Sequence, residues 1–160
     1  MNRPLYSALE TACRRLADAE SRHNAVDAIS DAIIGLEALL SGDGEREGLR
    51  FKFAMNYASL ARPDASDERK ARYRDASDLY SIRGGLFHGA DGGGALHKFA
   101  GSKLPLSEIM PRSCEMLRET IKTFLLLEGV PENEERSKKF FKEYWLGRYF
   151  GTSETRPSGG

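Results

Sequence analysis

The sequence predicts an all-α fold, an antiparallel bundle of five or six helices, on three observations. Apolar residues recur at helical spacing through most of the 160-residue chain. No stretch shows the apolar/polar alternation of a half-buried strand, and no unit repeats at a fixed period. The segments between the apolar runs are mostly short, which favours neighbouring helices that run antiparallel.

The first three helices are predicted from apolar residues three or four positions apart. These are Leu5, Leu9, Ala12 and Leu16 for the first, Ile29, Ile33, Leu36 and Leu40 for the second, and Leu49, Phe53, Tyr57 and Leu60 for the third. The first two helices are expected near 4–22 and 24–41. Gly42 and Gly44 end the second helix, and Pro63 ends the third.

The fourth helix is expected to begin at Asp64 or Ser66, both good capping residues, and to end within the segment YSIRGGLFHG at 80–89. After it, the glycine-rich stretch GADGGGALHKFAGSKLPL at 89–106 is predicted to be a loop.

Two helices complete the bundle. The fifth contains Cys114, and Pro111 is expected in its first turn, where a missing N–H costs little. The sixth covers NEERSKKFFKEYWLGRYFG and places Phe141 and Trp145 on one stripe, which is typical of a core or a dimer contact more than of a base-stacking platform. We expect one helical domain over 1–151 and a disordered tail over 152–160.

Charge and cysteine content limit the functional classes. Lys and Arg together number 24, as do Asp and Glu, so the formal net charge is zero. Proteins that coat nucleic acid usually carry a basic excess, although a small local basic site stays possible. Cys13 and Cys114 are expected to be buried thiols in a reducing compartment. With no signal pattern and no long apolar run, we expect a cytoplasmic protein without membrane contact.

Common cofactor motifs are missing from the sequence. It has no HExxH, no CxxC pair and no GxxxxGK[ST] loop, and His23, His88 and His97 are scattered. We therefore expect neither a metal nor a cofactor.

Arg83 and His88 form the candidate catalytic pair. On an ideal helix, five positions place them about 140° apart, so they would not share a face. Gly84 and Gly85 are expected to loosen the helix, since each costs about 1 kcal/mol relative to alanine. Their missing side chains also let a ligand come close to the backbone beside the arginine.

The chemistry of this pair suits phosphate. Arginine binds phosphate oxygens in a fork, and histidine exchanges a proton near pH 7. Together, without a metal, they could cleave RNA through attack of the ribose 2′-hydroxyl on the adjacent phosphorus. The residues alone favour a simpler interpretation of Arg83 and His88, a helix C-terminus with a stabilising histidine.

Two segments resemble a known family. DLYSIRGGLFHG resembles the Arg-x4-His signature of the HEPN superfamily, and more narrowly of Apea-like HEPN domains, in which a tyrosine precedes the arginine. Upstream, DAISDAIIGLEALLSGDGE resembles the second helix of that family, an apolar helix that runs into a polar, glycine-containing loop. The resemblance covers roughly residues 20–130.

The resemblance implies a homodimeric bundle that brings two Arg-x4-His motifs to one cleft, often as a metal-independent endoribonuclease in toxin–antitoxin or anti-phage systems. Arg83 and His88 match the catalytic positions. Glu37 matches the glutamate of LEALL, and either orients Arg83 through a salt bridge or forms a helix-packing pair. Gly84 stands where many members have a polar residue, and Ala90 where some have a tyrosine that a partner nucleotidyltransferase modifies.

Three hypotheses follow. The first is a ribonuclease that cuts single-stranded RNA and has an antitoxin or defence-system partner. The second is a non-catalytic HEPN-like module for oligomerisation or nucleotide binding, and the third is a helical scaffold. Arg62, Arg69 and Lys98 could guide RNA in the first hypothesis, unless they are ordinary solvated charges.

Overall fold

The structure is a computed structural model, and it describes residues 3–41, 48–87 and 94–150. These residues form six helices and one two-stranded hairpin. The elements are α1 (Arg3–Ser21), α2 (Ala25–Leu40), α3 (Leu49–Ser59), α4 (Ser66–Phe87), β1 (Leu96–Phe99), β2 (Ser102–Pro105), α5 (Leu106–Leu125) and α6 (Glu134–Phe150). The predicted all-α bundle is confirmed, and the tail predicted over 152–160 lies outside the described residues.

Helix α2 is the centre of the bundle. Nine of its 16 residues are buried, with α1 and α5 packed along it and α3 and α4 against other parts of its surface. Gly35 permits the close approach of α5, because a Cβ atom there would lie 2.7 Å from Leu117 Cδ2. At the start of the helix, the Asn24 side chain accepts a hydrogen bond of 2.8 Å from the Val26 amide.

Helix α6 is attached to the end of α3 by polar contacts. The Arg148 guanidinium donates to the carbonyls of Ser59, Leu60 and Ala61, at 2.7 to 3.0 Å. Arg69 donates to the same turn, and its Nη2 lies 2.7 Å from the Arg148 carbonyl. Two cations are tolerated here because the last carbonyls of a helix have no partner within it and carry partial negative charge.

A hairpin occupies part of the segment that the sequence predicted to be a loop. Strands β1 and β2 pair antiparallel, with Leu96 opposite Pro105 and Phe99 opposite Ser102. The two residues between the strands, Ala100 and Gly101, have φ of 53° and 79°. Positive φ at both positions of a two-residue loop matches the right-handed twist of the strands. Buried Phe99 anchors the hairpin against the core, and the strands contact α4 and α5.

Two smaller expectations were wrong. Helix α5 begins at Leu106, so Pro111 lies in its second turn and leaves the carbonyl four residues earlier without its usual helical donor. Cys13 is exposed, and Cys114 alone of the two thiols is buried. On an ideal helix Cys13 lies about 70° from the centre of the α1 face that buries Leu5, Leu9 and Ala12, and so at the edge of that face.

Among the helices of the described segments, none is both long and apolar enough to cross a bilayer.

The hairpin turn provides a stability prediction. Ala100→Gly should raise the free energy of unfolding by up to about 1 kcal/mol, because alanine is strained at positive φ. Gly101→Ala should lower it by a similar amount for the same reason. Urea denaturation of the two variants beside wild type measures both changes. Equal stability of all three proteins would contradict the positive-φ turn.

Candidate functional site

Arg83 and Glu37 meet where α4 crosses α2. Glu37 lies in the last turns of the central helix, and α4 carries Arg83 across it. The Arg83 Nη1 atom forms an ion pair and hydrogen bond with Glu37 Oε1. Their side chains are 30% and 21% exposed, so the pair lies at the edge of the core, where solvent still reaches the guanidinium.

Tyr80 is the third member of this site. It precedes Arg83 by three positions, so both side chains leave the same face of α4. The Arg83 guanidinium carbon lies 5.7 Å from the centre of the Tyr80 ring, a cation–π distance, and the Tyr80 hydroxyl acts to lower the pKa of Glu37. The ring itself packs on buried Phe53, with centroids 5.3 Å apart. Tyr80 therefore connects the charged pair to the core.

Burial dominates the electrostatics of Glu37. Desolvation raises the pKa of this carboxyl above its ordinary value, although Arg83 and the Tyr80 hydrogen bond act to lower it. The attraction of the Arg83 cation therefore does not fully offset the cost of removing water from the Glu37 carboxylate. An ion pair with this balance adds little net free energy of unfolding, although it places the guanidinium beside α2.

The glycine pair lies within α4. The helix continues through Gly84 and Gly85 to Phe87, so the expected loosening of the helix at these residues was wrong. Leu86 packs against the core and favours this continuation. Both glycines are exposed, and no described atom outside the local helix lies within 4 Å of a Cβ built on either. Packing among the described residues therefore does not require glycine here, and these two positions of α4 carry no side chain.

The second member of the predicted pair lies outside the described residues, as does Ala90. The described chain stops at Phe87, one residue before His88. The structure thus brings together Arg83, Glu37 and Gly84 of the predicted site. This arrangement offers a fixed guanidinium that can bind a phosphate or a carboxylate.

The proposed RNA-guiding residues divide into two kinds. Arg69 is bound to the carbonyls at the end of α3, which gives it a structural role. Arg62 is exposed and forms an ion pair of 2.7 Å with Asp64. Lys98 is 73% exposed in its side chain, with Nζ 3.9 Å from Asp78 Oδ1. Only Arg62 and Lys98 keep a surface position from which they could contact a long anion.

Tyr80 was not assigned a role from the sequence, although a usable signal was present. A tyrosine three positions before an arginine on a helix lies on the same face and can stack on the guanidinium. Within residues 3–41, 48–87 and 94–150, no group of three His, Cys, Asp or Glu side chains could hold a metal ion.

Comparisons with models of protein families, with curated proteins and with solved structures found no match to this chain. The HEPN resemblance of the two segments therefore stays a prediction from the sequence.

The raised pKa of Glu37 predicts how stability depends on pH. At low pH the Glu37 carboxyl is protonated in both the folded and the unfolded chain. As pH rises above the ordinary glutamate value of about 4.3, the unfolded chain releases its proton first, so the free energy of unfolding falls until the folded carboxyl also ionises. Glu37→Gln should remove this decrease, and urea denaturation across a pH series measures it.

A second variant tests the opposing role of Arg83. Arg83→Gln should steepen the decrease, because desolvation of Glu37 is then no longer opposed by a cation. Parallel pH profiles for wild type and both variants would contradict the assignment.

Proposed function

We propose that this protein is a metal-independent endoribonuclease that cuts single-stranded RNA at a homodimer cleft, within a toxin–antitoxin or anti-phage system that supplies a controlling partner. Arg83 and His88 are the proposed catalytic residues, Glu37 and Tyr80 position the arginine, and Gly84 leaves room for the substrate.

The observation that supports this proposal is the setting of Arg83. Its guanidinium is held from one side by Glu37 and lies against the ring of Tyr80, yet it stays partly exposed, and Gly84, the next residue of α4, adds no side chain. A cation that is fixed before the substrate arrives needs little reorganisation when negative charge develops on a phosphate. Gly84 is exposed and has no packing role, which suits the approach of a backbone as bulky as RNA.

The proposed reaction is an internal transfer at phosphorus. His88 takes the proton of the ribose 2′-hydroxyl while its oxygen forms a bond to the adjacent phosphorus, and the bond from phosphorus to the 5′-oxygen breaks. A protonated group, the second His88 of the dimer, returns a proton to that leaving oxygen. Arg83 holds the non-bridging oxygens as their charge increases. The products are a 2′,3′-cyclic phosphate and a 5′-hydroxyl.

A non-catalytic module is the second candidate, and one observation favours it. The Arg83 charge already has a carboxylate partner in Glu37, as expected for a residue that joins two helices. In that function the bundle assembles or binds a nucleotide phosphate without breaking a bond. The two candidates differ in whether RNA is cut.

Labelled RNA incubated with the protein in EDTA distinguishes them. We expect cleavage with cyclic phosphate ends, reduced at least about 100-fold by His88→Ala and by Arg83→Lys, which keeps the charge and loses the fork. Matched controls are His23→Ala and Arg136→Ala, exposed residues of the same types outside the site. Circular dichroism confirms that each variant is folded.

Three outcomes would contradict the nuclease. RNA binding without cleavage would favour the module instead. A monomeric mass by sedimentation, at concentrations where RNA is cut, would remove the shared cleft from the proposal. Cleavage that persists unchanged in His88→Ala and Arg83→Lys would point to a contaminating enzyme.

Gly84→Ala distinguishes an effect of the glycine on stability from an effect on RNA cleavage. Alanine has space there and favours a helix, so this variant should unfold with a free energy up to about 1 kcal/mol larger. If RNA must approach the backbone beside Arg83, the same variant should cut RNA more slowly. Urea denaturation and the cleavage assay give the two values, and a more stable protein with unchanged cleavage would show that Gly84 has no role in substrate access.

A further inference from the structure

A cavity of about 530 Å³ lies between α1, α2 and α6, away from the ion pair of Arg83 with Glu37. This volume falls within the range of small-molecule sites in proteins. Its lining residues are Leu5, Ala8, Ala38, Leu39, Leu40, Lys52, Phe124, Glu134, Ser137, Lys138, Lys139, Phe141, Lys142 and Trp145.

The inner wall of the cavity is apolar. Phe124 of α5 stacks on Phe141 of α6 with ring centroids 6.2 Å apart, and Trp145 tilts against Phe124 at 6.0 Å. Ala8 and Ala38 line the same space with small side chains, which leaves it open instead of filled. Such a wall favours an aliphatic or aromatic ligand over water.

The outer part of the cavity is basic. Four lysines and a single glutamate contribute to the lining, an excess of three positive charges in a chain whose formal net charge is zero. Three of those lysines, at 138, 139 and 142, come from α6, and the carboxylate of Glu134 lies 3.1 Å from Lys138. Lys139 and Lys142 are exposed at the edge of the cavity.

We propose that this cavity binds a single-chain anionic amphiphile of the fatty-acid class, with its chain against the aromatic wall and its headgroup among the lysines. A nucleotide has the right charge, but its base needs several hydrogen-bonding partners. Among the lining residues the only neutral polar side chain is Ser137, which is 2% exposed. The apolar wall therefore fits a hydrocarbon chain better than a base.

Trp145 makes the proposal directly measurable, because it lines the cavity and is the only tryptophan in the chain. Laurate, dodecanol and dodecyltrimethylammonium share one hydrocarbon chain and differ in headgroup charge. Each is titrated below its aggregation concentration while Trp145 emission is recorded. We expect a saturable blue shift with laurate, about tenfold weaker binding of the alcohol, and weaker binding still of the cation.

Variants locate the ligand. Lys139→Glu with Lys142→Glu should weaken laurate binding about tenfold, whereas Lys103→Glu with Lys122→Glu, exposed lysines outside the lining, should leave it unchanged at the same net charge. Ala38→Phe places a ring in the cavity and should abolish binding without reversing any charge. Circular dichroism and urea denaturation of the same preparations show that the variants are folded.

Several results would overturn the proposal. They are no saturable change with laurate, equal binding of the three amphiphiles, tighter binding of adenosine monophosphate than of laurate, or equal weakening by the two double-lysine variants. A Trp145 shift that follows protein concentration without any ligand would assign the cavity to a second copy of the chain. None of these results depends on whether Arg83 and His88 cut RNA, so this proposal and the nuclease can fail separately.

Discussion

The bundle depends on how its central helix carries two carboxylates into the interior. Asp31 and Glu37 lie on α2, and a buried carboxylate is costly unless a cation or several donors reach it. Arg15 and Arg22 bind Asp31 at 2.8 and 3.0 Å, and Arg83 binds Glu37. Arg15 and Arg22 reach α2 from α1 and from the residue after it, and Arg83 reaches it from α4. These ion pairs therefore constrain where α1 and α4 pack on α2. The position of Arg83 follows from this requirement before any ligand is considered.

The ion pair with Glu37 therefore has two opposing effects on the candidate site. The ion pair that fixes Arg83 also offers its guanidinium an internal anion, with which any phosphate must compete. Desolvation raises the pKa of Glu37, and a carboxylate that is short of solvation holds its guanidinium partner firmly. Arginine has five donors and can serve two anions on different edges of its plane. A positioning carboxylate and a substrate phosphate are thus chemically compatible on one residue.

The sequence predicted the helices well and the irregular segments poorly. Apolar spacing located all six described helices, because burial of one face is the dominant local signal. The hairpin escaped prediction because each strand has four residues, and because Ala100 occupies a turn position where glycine or asparagine is usual. Helix α4 continues through Gly84 since tertiary packing of Leu86 outweighs local propensity.

The site was predictable to the extent that it is local. Glu37 and Arg83 were paired from a resemblance, and the structure places them in contact, although nothing in their sequence separation of 46 positions requires it. The contribution of Tyr80 depends on Phe53 packing behind its ring, a tertiary contact that spacing alone does not show. A cavity is harder still to predict from sequence, because the space beside Trp145 depends on the small side chains of Ala8 on α1 and Ala38 on α2.

The polar attachment of α6 has a practical consequence for anyone who shortens this chain. Tyr149 donates to Asn56, whose amide in turn donates to the Leu40 carbonyl at the end of α2, so three helices share one chain of donors and acceptors. Removing the final turn of α6 would take away the donors to Asn56 Oδ1 and the Leu60 carbonyl, and would leave the Ser59 and Ala61 carbonyls only their bonds from Arg69. A shortened version should therefore keep residue 150, and a purification tag belongs beyond it.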